Sequence, residues 1–234
     1  AAAVLGLPAP LWGDSYQHSV ITQLLLDHGG LFQSWQPYTE LSAFTYHFGF
    51  HSYASVLSWI SGLPAPQAVL WGGQAAGVLA VLALVPLADR LGRTTWAAPA
   101  AVLLVGLLSP MPAFYTNWGR YTQLAGQVIL PAFLWLCMAL LARSQEKDRL
   151  LPGWRLPLLL ALVSAGLALT HVRILILAAL YPIAHSLLSL HQPNRLRRYG
   201  WLAAAGLTGI VLYLPWFTNS FGSQLASMFV QQIS

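Results

Sequence analysis

Apolar runs long enough to form membrane-crossing helices alternate with short polar loops after residue 64. A straight helix needs about 20 apolar residues to cross the hydrocarbon core of a bilayer. The runs near that length are residues 65–88, 96–113, 121–142, 156–170, 172–190 and 199–218. The pattern predicts an all-α, polytopic membrane helical bundle, in which residues 65–234 form one integral membrane domain of about six transmembrane helices.

Three loops between these runs are rich in arginine and lysine: the loop with Arg90 and Arg93, residues 143–155, and residues 195–198. Alternating spans place all three loops on the same side of the membrane. Short loops rich in lysine and arginine face the cytoplasm in most membrane proteins. We therefore expect the opposite ends of the spans to face outward, in a cell (plasma) membrane.

Residues 1–64 have a different pattern and are expected to hold short helices at the outer surface. Residues 1–11 are too short to cross and contain two prolines, so they are interpreted as the end of an earlier span in a chain truncated at both ends. Residues 15–28 predict a short amphipathic helix that ends at His28-Gly29-Gly30. Residues 44–60 are long enough for a strained crossing but carry histidine and serine, so we expect this helix to lie along the extracytoplasmic surface or to dip into it.

The composition supports the membrane assignment, since 57% of the 234 residues are hydrophobic and only 7% are charged. Soluble domains carry about 25% charged residues. The net charge of +5 comes from loop residues and does not indicate nucleic-acid binding. Nucleotide-binding glycine loops, GxSxG and HExxH are all absent from the sequence, so nucleotide binding and serine or zinc hydrolysis have no motif support.

Polar chemistry is concentrated between residues 12 and 64. Three of the six acidic residues and four of the seven histidines lie there: Asp14, Asp27, Glu40, His18, His28, His47 and His51. Asp14 and His18 are four residues apart, as are His47 and His51, so each pair shares a face if its segment is helical. These pairs could also supply ligands to a divalent metal. The alternative is that the histidines only decorate an interfacial helix.

Two further polar motifs fall on the predicted outer side, each with an arginine away from the basic loops. Asn117 and Arg120 lie in YTNWGRYTQ, and His171 and Arg173 lie in LTHVR. An arginine at the end of a span, against the trend of the basic loops, favours an anionic partner such as a phosphate. The alternative is that each guanidinium extends to lipid head groups.

The order of these motifs resembles the membrane glycosyltransferases of the C-type fold, which include protein O-mannosyltransferases and lipid A aminoarabinose transferases. The resemblance rests on WGDSYQHS, HGGLFQSW, TYHFGFHSYASVLSWISGLP, ADRLGR and the second outer motif. It implies transfer of a sugar from a polyprenyl-phosphate donor, with Asp14 as the main catalytic carboxylate. The chain differs from many relatives in lacking paired prolines after Phe44 and an aspartate in the second outer motif.

The sequence thus predicts an enzyme that moves a sugar from a polyprenyl-phosphate-linked donor to an acceptor at the outer membrane surface. Asp14 and His18 are the expected catalytic residues. The expected substrate-binding residues are Glu40, His47, His51, Asn117, Arg120, His171 and Arg173. Membrane lipids are expected partners, nucleic acid is not, and no cofactor beyond an optional divalent metal is expected. A transporter or flippase of a lipid-linked or anionic substrate is the alternative, and a non-catalytic scaffold is a third hypothesis.

Overall fold

The computed structural model describes residues 4–41, 43–142, 154–189 and 195–233, with backbone alone for residues 195–198 and 220–233. Over these residues the chain is helical and contains no strand. The helices are α1 (Ser15–Asp27), α2 (Gly49–Ser61), α3 (Ala65–Leu82), α4 (Val85–Gly92), α5 (Ala97–Leu103), α6 (Ala113–Asn117), α7 (Tyr121–Ala142), α8 (Arg155–Leu188) and α9 (Arg195–Ile233). The predicted all-α class is therefore confirmed.

Four helical segments of the described chain are long and apolar enough to cross a membrane. They are Ala65–Gly92, Tyr121–Ala142, Arg155–Leu188 and Tyr199–Asn219. The sequence predicts six spans, and one difference lies between residues 96 and 113. There α5 continues into a π-helical turn, Leu104–Leu108, and helical structure stops at Ser109 before Pro110. The resulting apolar helix, Ala97–Leu108, is shorter than a normal span.

Helix α8 holds two helical segments joined at a kink, where the sequence predicts two runs, residues 156–170 and 172–190. Its backbone leaves helical geometry at His171, with φ −165° and ψ 92°. Leu160 and Pro182 line the same cleft against Cys137 of α7. In a straight helix, residues 160 and 182 would lie about 33 Å apart at roughly 1.5 Å per residue. The helix therefore folds back on itself at His171, between the predicted runs 156–170 and 172–190.

The bundle has two chemically different ends. At the start of α7, the Tyr121 ring packs against Gly73 of α3. Further along the same two segments, the Arg90 guanidinium lies over the ring of Trp135, 5.4 Å from its centroid. The first basic loop therefore lies at the end opposite to the start of α7. The second basic loop lies outside the described residues, except for its end at 154–155.

Helices α1 and α2 pack together on the first half of α3. Helix α1 ends one residue before the predicted boundary. Helix α2 begins at Gly49, later than predicted, because Phe44 is held in an aromatic cluster with Phe32 and Trp216 instead. With 13 residues, α2 extends only about 20 Å and is too short to cross a bilayer.

Labelling of introduced cysteines tests the path of the first crossing helix. We expect Ser61→Cys, just before α3, and Arg93→Cys, just after α4, to react with an impermeant maleimide from opposite sides of the membrane. Both positions are exposed, and the buried native cysteine is removed by Cys137→Ser. Labelling of both positions from the same side would contradict a crossing by Ala65–Gly92.

Substitution of Gly73 tests the close approach of α3 to α7. A Cβ there would overlap the ring of Tyr121, which is buried and has no free space to move into. We expect Gly73→Ala to destabilise the protein by about 1–3 kcal/mol, as overpacked cores do. Gly166→Ala in α8 is the matched control, because its Cβ meets nothing within 4 Å. Equal thermal unfolding of the two variants in detergent would rule out this contact.

Candidate functional site

Two similar turns interlock where α1 and α7 begin. Trp12-Gly13-Asp14 precedes α1, and Trp118-Gly119-Arg120 precedes α7. Both glycines have positive φ, +60° and +73°, which side chains other than glycine rarely adopt. A Cβ on Gly13 would overlap the carbonyl of Trp118, and a Cβ on Gly119 would lie 2.6 Å from the carbonyl of Trp12. Each turn therefore fits against the backbone of the other.

This fit brings Asp14 and Arg120 into an ion pair, with Nη1 of Arg120 3.3 Å from Oδ2 of Asp14. The side chains are 39% and 37% exposed, so solvent reaches both. The guanidinium also lies over the Trp118 ring, 4.4 Å from its centroid. Asp14 stands at the N-cap position of α1 but its carboxylate makes no capping hydrogen bond. The carboxylate is therefore directed to Arg120 rather than to the helix end.

One turn further along α1, His18 is completely enclosed and bonds to α2. Its Nδ1 lies 2.9 Å from Nε2 of His51, and both rings are buried, at 1% and 0% exposure. Tyr46, Phe50 and Tyr121 surround the His18 ring. The expected sharing of a helix face by His47 and His51 is wrong, because α2 begins at Gly49 and His47 precedes it.

His47 instead contacts α8 at the point where that helix turns back on itself. Its ring stacks on Tyr46, with centroids 3.9 Å apart, and lies 4.9 Å from the ring of His171. Thr170 packs against Gly49, where a Cβ would overlap its hydroxyl. Tyr46 also feels the charges of Asp14, Arg120 and Arg173. The Tyr46 ring also lies 6.4 Å from that of His18, so it contacts both histidine pairs.

Four ring nitrogens in this cluster are buried without a hydrogen-bond partner: His18 Nε2, His47 Nε2, His51 Nδ1 and His171 Nδ1. Most buried polar atoms in proteins are hydrogen-bonded, so four such atoms in one place require an explanation. The described residues leave these buried atoms unsatisfied. Within the described residues, no three histidine, cysteine or acidic side chains are grouped to hold a metal ion.

Burial makes these histidines weak bases. Loss of hydration lowers the pKa of His18 to about 4, although Asp14 and the Gly119 carbonyl act in the opposite direction. Burial, together with neighbouring His171, lowers the pKa of His47 to about 3. Burial also lowers the pKa of His51 well below 6.5, with the neighbouring His18 and His47 adding to the effect and the His47 carbonyl opposing it. Burial raises the pKa of Tyr46. At neutral pH the three histidines are therefore uncharged.

The structure brings most of the predicted site residues together. Asp14, His18, His47, His51, Arg120 and His171 lie in one cluster. Arg173 is exposed beside it and acts electrostatically on His47. Glu40 and Asn117 are exposed, and their side chains form no hydrogen bond or ion pair with the described residues.

Sequence reasoning missed Tyr46 and the matched turns. The repeated Trp-Gly-charge pattern before two helices was the signal for the turns, since opposite charges at equivalent positions of similar motifs suggest a pair. Tyr46 gave no such signal, because nothing in the spacing of TYHFGFH distinguishes it from a core aromatic residue.

Comparisons with protein-family models, with curated proteins and with solved structures found no match to this chain.

The stability of the protein should fall as the pH is lowered from 7 to 5. Unfolded histidine binds a proton near pH 6.5, whereas folded His18 does so only near pH 4, so acid favours the unfolded chain in this window. For His18 alone the loss is about 2 kcal/mol by proton linkage. Below about pH 4 both states are protonated and the loss from this residue stops growing.

We expect His18→Gln to reduce this pH dependence, measured by thermal unfolding in detergent at each pH. His28→Gln is the control, because His28 is exposed at the end of α1 and should keep the wild-type response. An unchanged pH dependence in His18→Gln would show that His18 is not buried as a neutral ring.

Proposed function

We propose that this protein is a membrane glycosyltransferase that moves a sugar from a polyprenyl-phosphate-linked donor to a hydroxyl acceptor. The observation that carries the proposal is the Asp14–Arg120 ion pair, half exposed at one end of an apolar bundle and adjoining buried neutral histidines. Charged groups are costly near a bilayer and usually have a function there. The motif resemblance supports the same chemistry.

Asp14 is the proposed general base. In the ion pair its carboxylate is occupied by Arg120, and a phosphate on the donor would compete for the same guanidinium. Arginine binds phosphate and carboxylate through the same planar pair of N–H donors. Donor binding would therefore release Asp14 to accept the proton of the hydroxyl that attacks the sugar.

Arg120 and Arg173 are the proposed phosphate ligands. Arg173 is exposed and forms no ion pair with the described acidic residues. The charges of both arginines lower the pKa of Tyr46, against the larger effect of its burial. As the bond between sugar and phosphate breaks, negative charge grows on the phosphate, and two fixed cations stabilise it.

A groove between α1 and α2 fits the hydrocarbon part of such a donor. It is lined mainly by apolar side chains, with no charged residue: Leu25, Leu26, Leu31, Phe48, Val56 and Trp59, together with two glycines and two serines. Two of its lining residues, Phe48 and Ser52, directly follow His47 and His51 in the chain. In this proposal α1 and α2 lie at the outer face of the plasma membrane, where the site meets lipid-linked substrates.

Replacement of Asp14 tests the proposed base. We expect Asp14→Asn to lower sugar transfer from polyprenyl-phosphate-linked donors by roughly a hundredfold or more, because an amide cannot accept the proton. Donor binding should persist, since Arg120 is freed from its ion pair. Asp27→Asn on the other end of α1 is the matched control, because exposed Asp27 contacts only Gln23 among the described side chains.

The assay measures release of the sugar from its lipid phosphate by purified protein in bilayers. A transporter would move the donor across the membrane without releasing its sugar, so this readout separates the two functions. Full transfer activity in Asp14→Asn would remove the catalytic role of the carboxylate.

A further inference from the structure

A second apolar cleft lies where α7, α8 and α9 meet, and both arms of α8 contribute to it. The first arm comes before the fold-back at His171, and the second arm follows it. The cleft has a volume of about 260 Å³. It shares no lining residue with the groove between α1 and α2, so the two are separate. Its walls include Phe133 and Cys137 of α7, Leu160 and Pro182 of the two α8 arms, and Tyr213 of α9.

The cleft runs along the helices rather than across them. On α9 its lining extends from Leu202 to Tyr213, which is about 16 Å at roughly 1.5 Å per residue. On the first arm of α8 the lining extends from Leu160 to Ala168. All of these residues belong to segments that are long and apolar enough to cross a membrane. The long axis of the cleft therefore points across the bilayer, which is also the mean direction of lipid hydrocarbon chains.

The lining of the cleft suits hydrocarbon rather than a polar ligand. It contains no charged residue, and its side-chain polar groups are the Cys137 thiol and the hydroxyls of Ser164 and Tyr213. Ser164 already donates its hydroxyl proton to the Leu160 carbonyl, over 2.6 Å. A polar group loses its hydration in such a place without gaining partners, whereas apolar cavities in proteins bind hydrocarbons such as benzene. In a membrane the hydrocarbon at hand is the chain of a lipid.

Two glycines on α9 show where a chain would lie. A Cβ on Gly209 would lie 3.2 Å from Cβ of Ser164 and 3.3 Å from the Ala161 carbonyl oxygen, so close packing against α8 accounts for this glycine. Gly206 also lines the cleft, but a Cβ there would meet nothing within 4 Å. Glycine inside a helix is less stable than alanine, so its presence needs a reason. Packing among the described residues does not supply one at Gly206, where the bare backbone leaves the cleft wide.

We propose that this cleft binds one hydrocarbon chain of a membrane phospholipid, which lies along α9 over the backbone of Gly206. A cavity lowers the stability of a protein in proportion to its volume, so a chain that fills the cleft stabilises the contact between the α8 arms and α9. No histidine lines the cleft, and this site does not depend on the proposed sugar transfer.

Photocrosslinking of retained lipid tests the site in the full wild-type chain. The protein is held in nanodiscs of phosphatidylcholine that carries a diazirine at the end of one chain, transferred to detergent, washed free of loosely bound lipid and then irradiated. We expect one crosslinked lipid per chain, located by peptide mass spectrometry at lining residues such as Phe133 or Tyr213. Leu207 and Val211 are the internal controls, because they are exposed on α9 and do not line the cleft. Equal labelling of these two positions, or no retained lipid, would overturn the assignment.

Replacement of Gly206 tests the same site by filling it. We expect Gly206→Phe to lower the retained lipid roughly tenfold or more, because the ring takes the space of the chain. Gly200→Phe is the matched control, because residue 200 is on the same helix, its Cβ also meets nothing within 4 Å, and it lies outside the cleft. Wild-type lipid retention by folded Gly206→Phe would contradict the site.

Thermal unfolding gives a second readout of the same variants. Because a ligand of the folded state stabilises that state, removal of lipid should lower the unfolding temperature of the wild type and of Gly200→Phe. Gly206→Phe should lose this dependence, since its own ring fills the cleft. An equal response of all three proteins would argue against the site, and the crosslink map of the wild type decides the matter should Gly206→Phe fail to fold.

Competition distinguishes a phospholipid from the lipid-linked donor. We assign the cleft to the phospholipid, although both molecules carry hydrocarbon chains. Added polyprenyl phosphate should therefore leave the crosslinks unchanged. Loss of the crosslinks in its presence would assign the cleft to the donor chain and overturn the assignment. Sugar release from the donor is measured separately, so failure of either proposal leaves the other standing.

Discussion

The interlocked turns before α1 and α7 are the contact on which the rest of the site depends. Gly13 and Gly119 each leave room for the other turn's backbone, and no larger residue fits there without strain. The ion pair that results is half exposed, and such pairs contribute only about 0–1 kcal/mol. Backbone packing, rather than the attraction between Asp14 and Arg120, therefore fixes the start of α1 beside the start of α7.

That contact also determines where the buried histidine cluster forms. A fixed start of α1 places His18 one turn deeper, where α2 supplies His51 as its partner. The fold-back of α8 adds His171 beside His47. A buried polar atom without a partner costs about 1–3 kcal/mol, and the cluster holds four of them. Proteins retain such costly groups mainly at functional sites, where local rules of stability are broken.

The opposite end of the bundle has a different interior. There Cys137, Leu140 and Leu156 belong to an apolar core in which α7, α8 and α9 meet. The interior of this end is packed with apolar side chains, whereas the interior beside the interlocked turns holds the buried histidines.

The sequence by itself determined the helical class, the membrane character and much of the helix placement. Apolar runs set these features, because a chain in a bilayer must satisfy its backbone hydrogen bonds internally, which a helix does using only neighbouring residues. The amphipathic pattern and the stop at His28-Gly29-Gly30 predicted α1 to within one residue, and the gap between two apolar runs predicted the direction change near His171. The chain has few charged residues, and the concentration of ionisable residues between positions 12 and 64 also identified Asp14 and His18 as candidate site residues.

Only the tertiary structure decided which of those candidates meet. Asp14 pairs with Arg120 of a distant turn rather than with His18 along its own helix, and His18 bonds to His51. The four-residue spacing of His47 and His51 implied a shared helix face only if both residues were helical. Because Phe44 packs in an aromatic cluster, α2 begins at Gly49, and His47 lies outside the helix. Glu40 and Asn117 looked equally suitable in sequence, but their exposed side chains make no polar contact with the described residues. Contacts between distant segments depend on how closely their backbones approach, and local spacing carries no information about that distance.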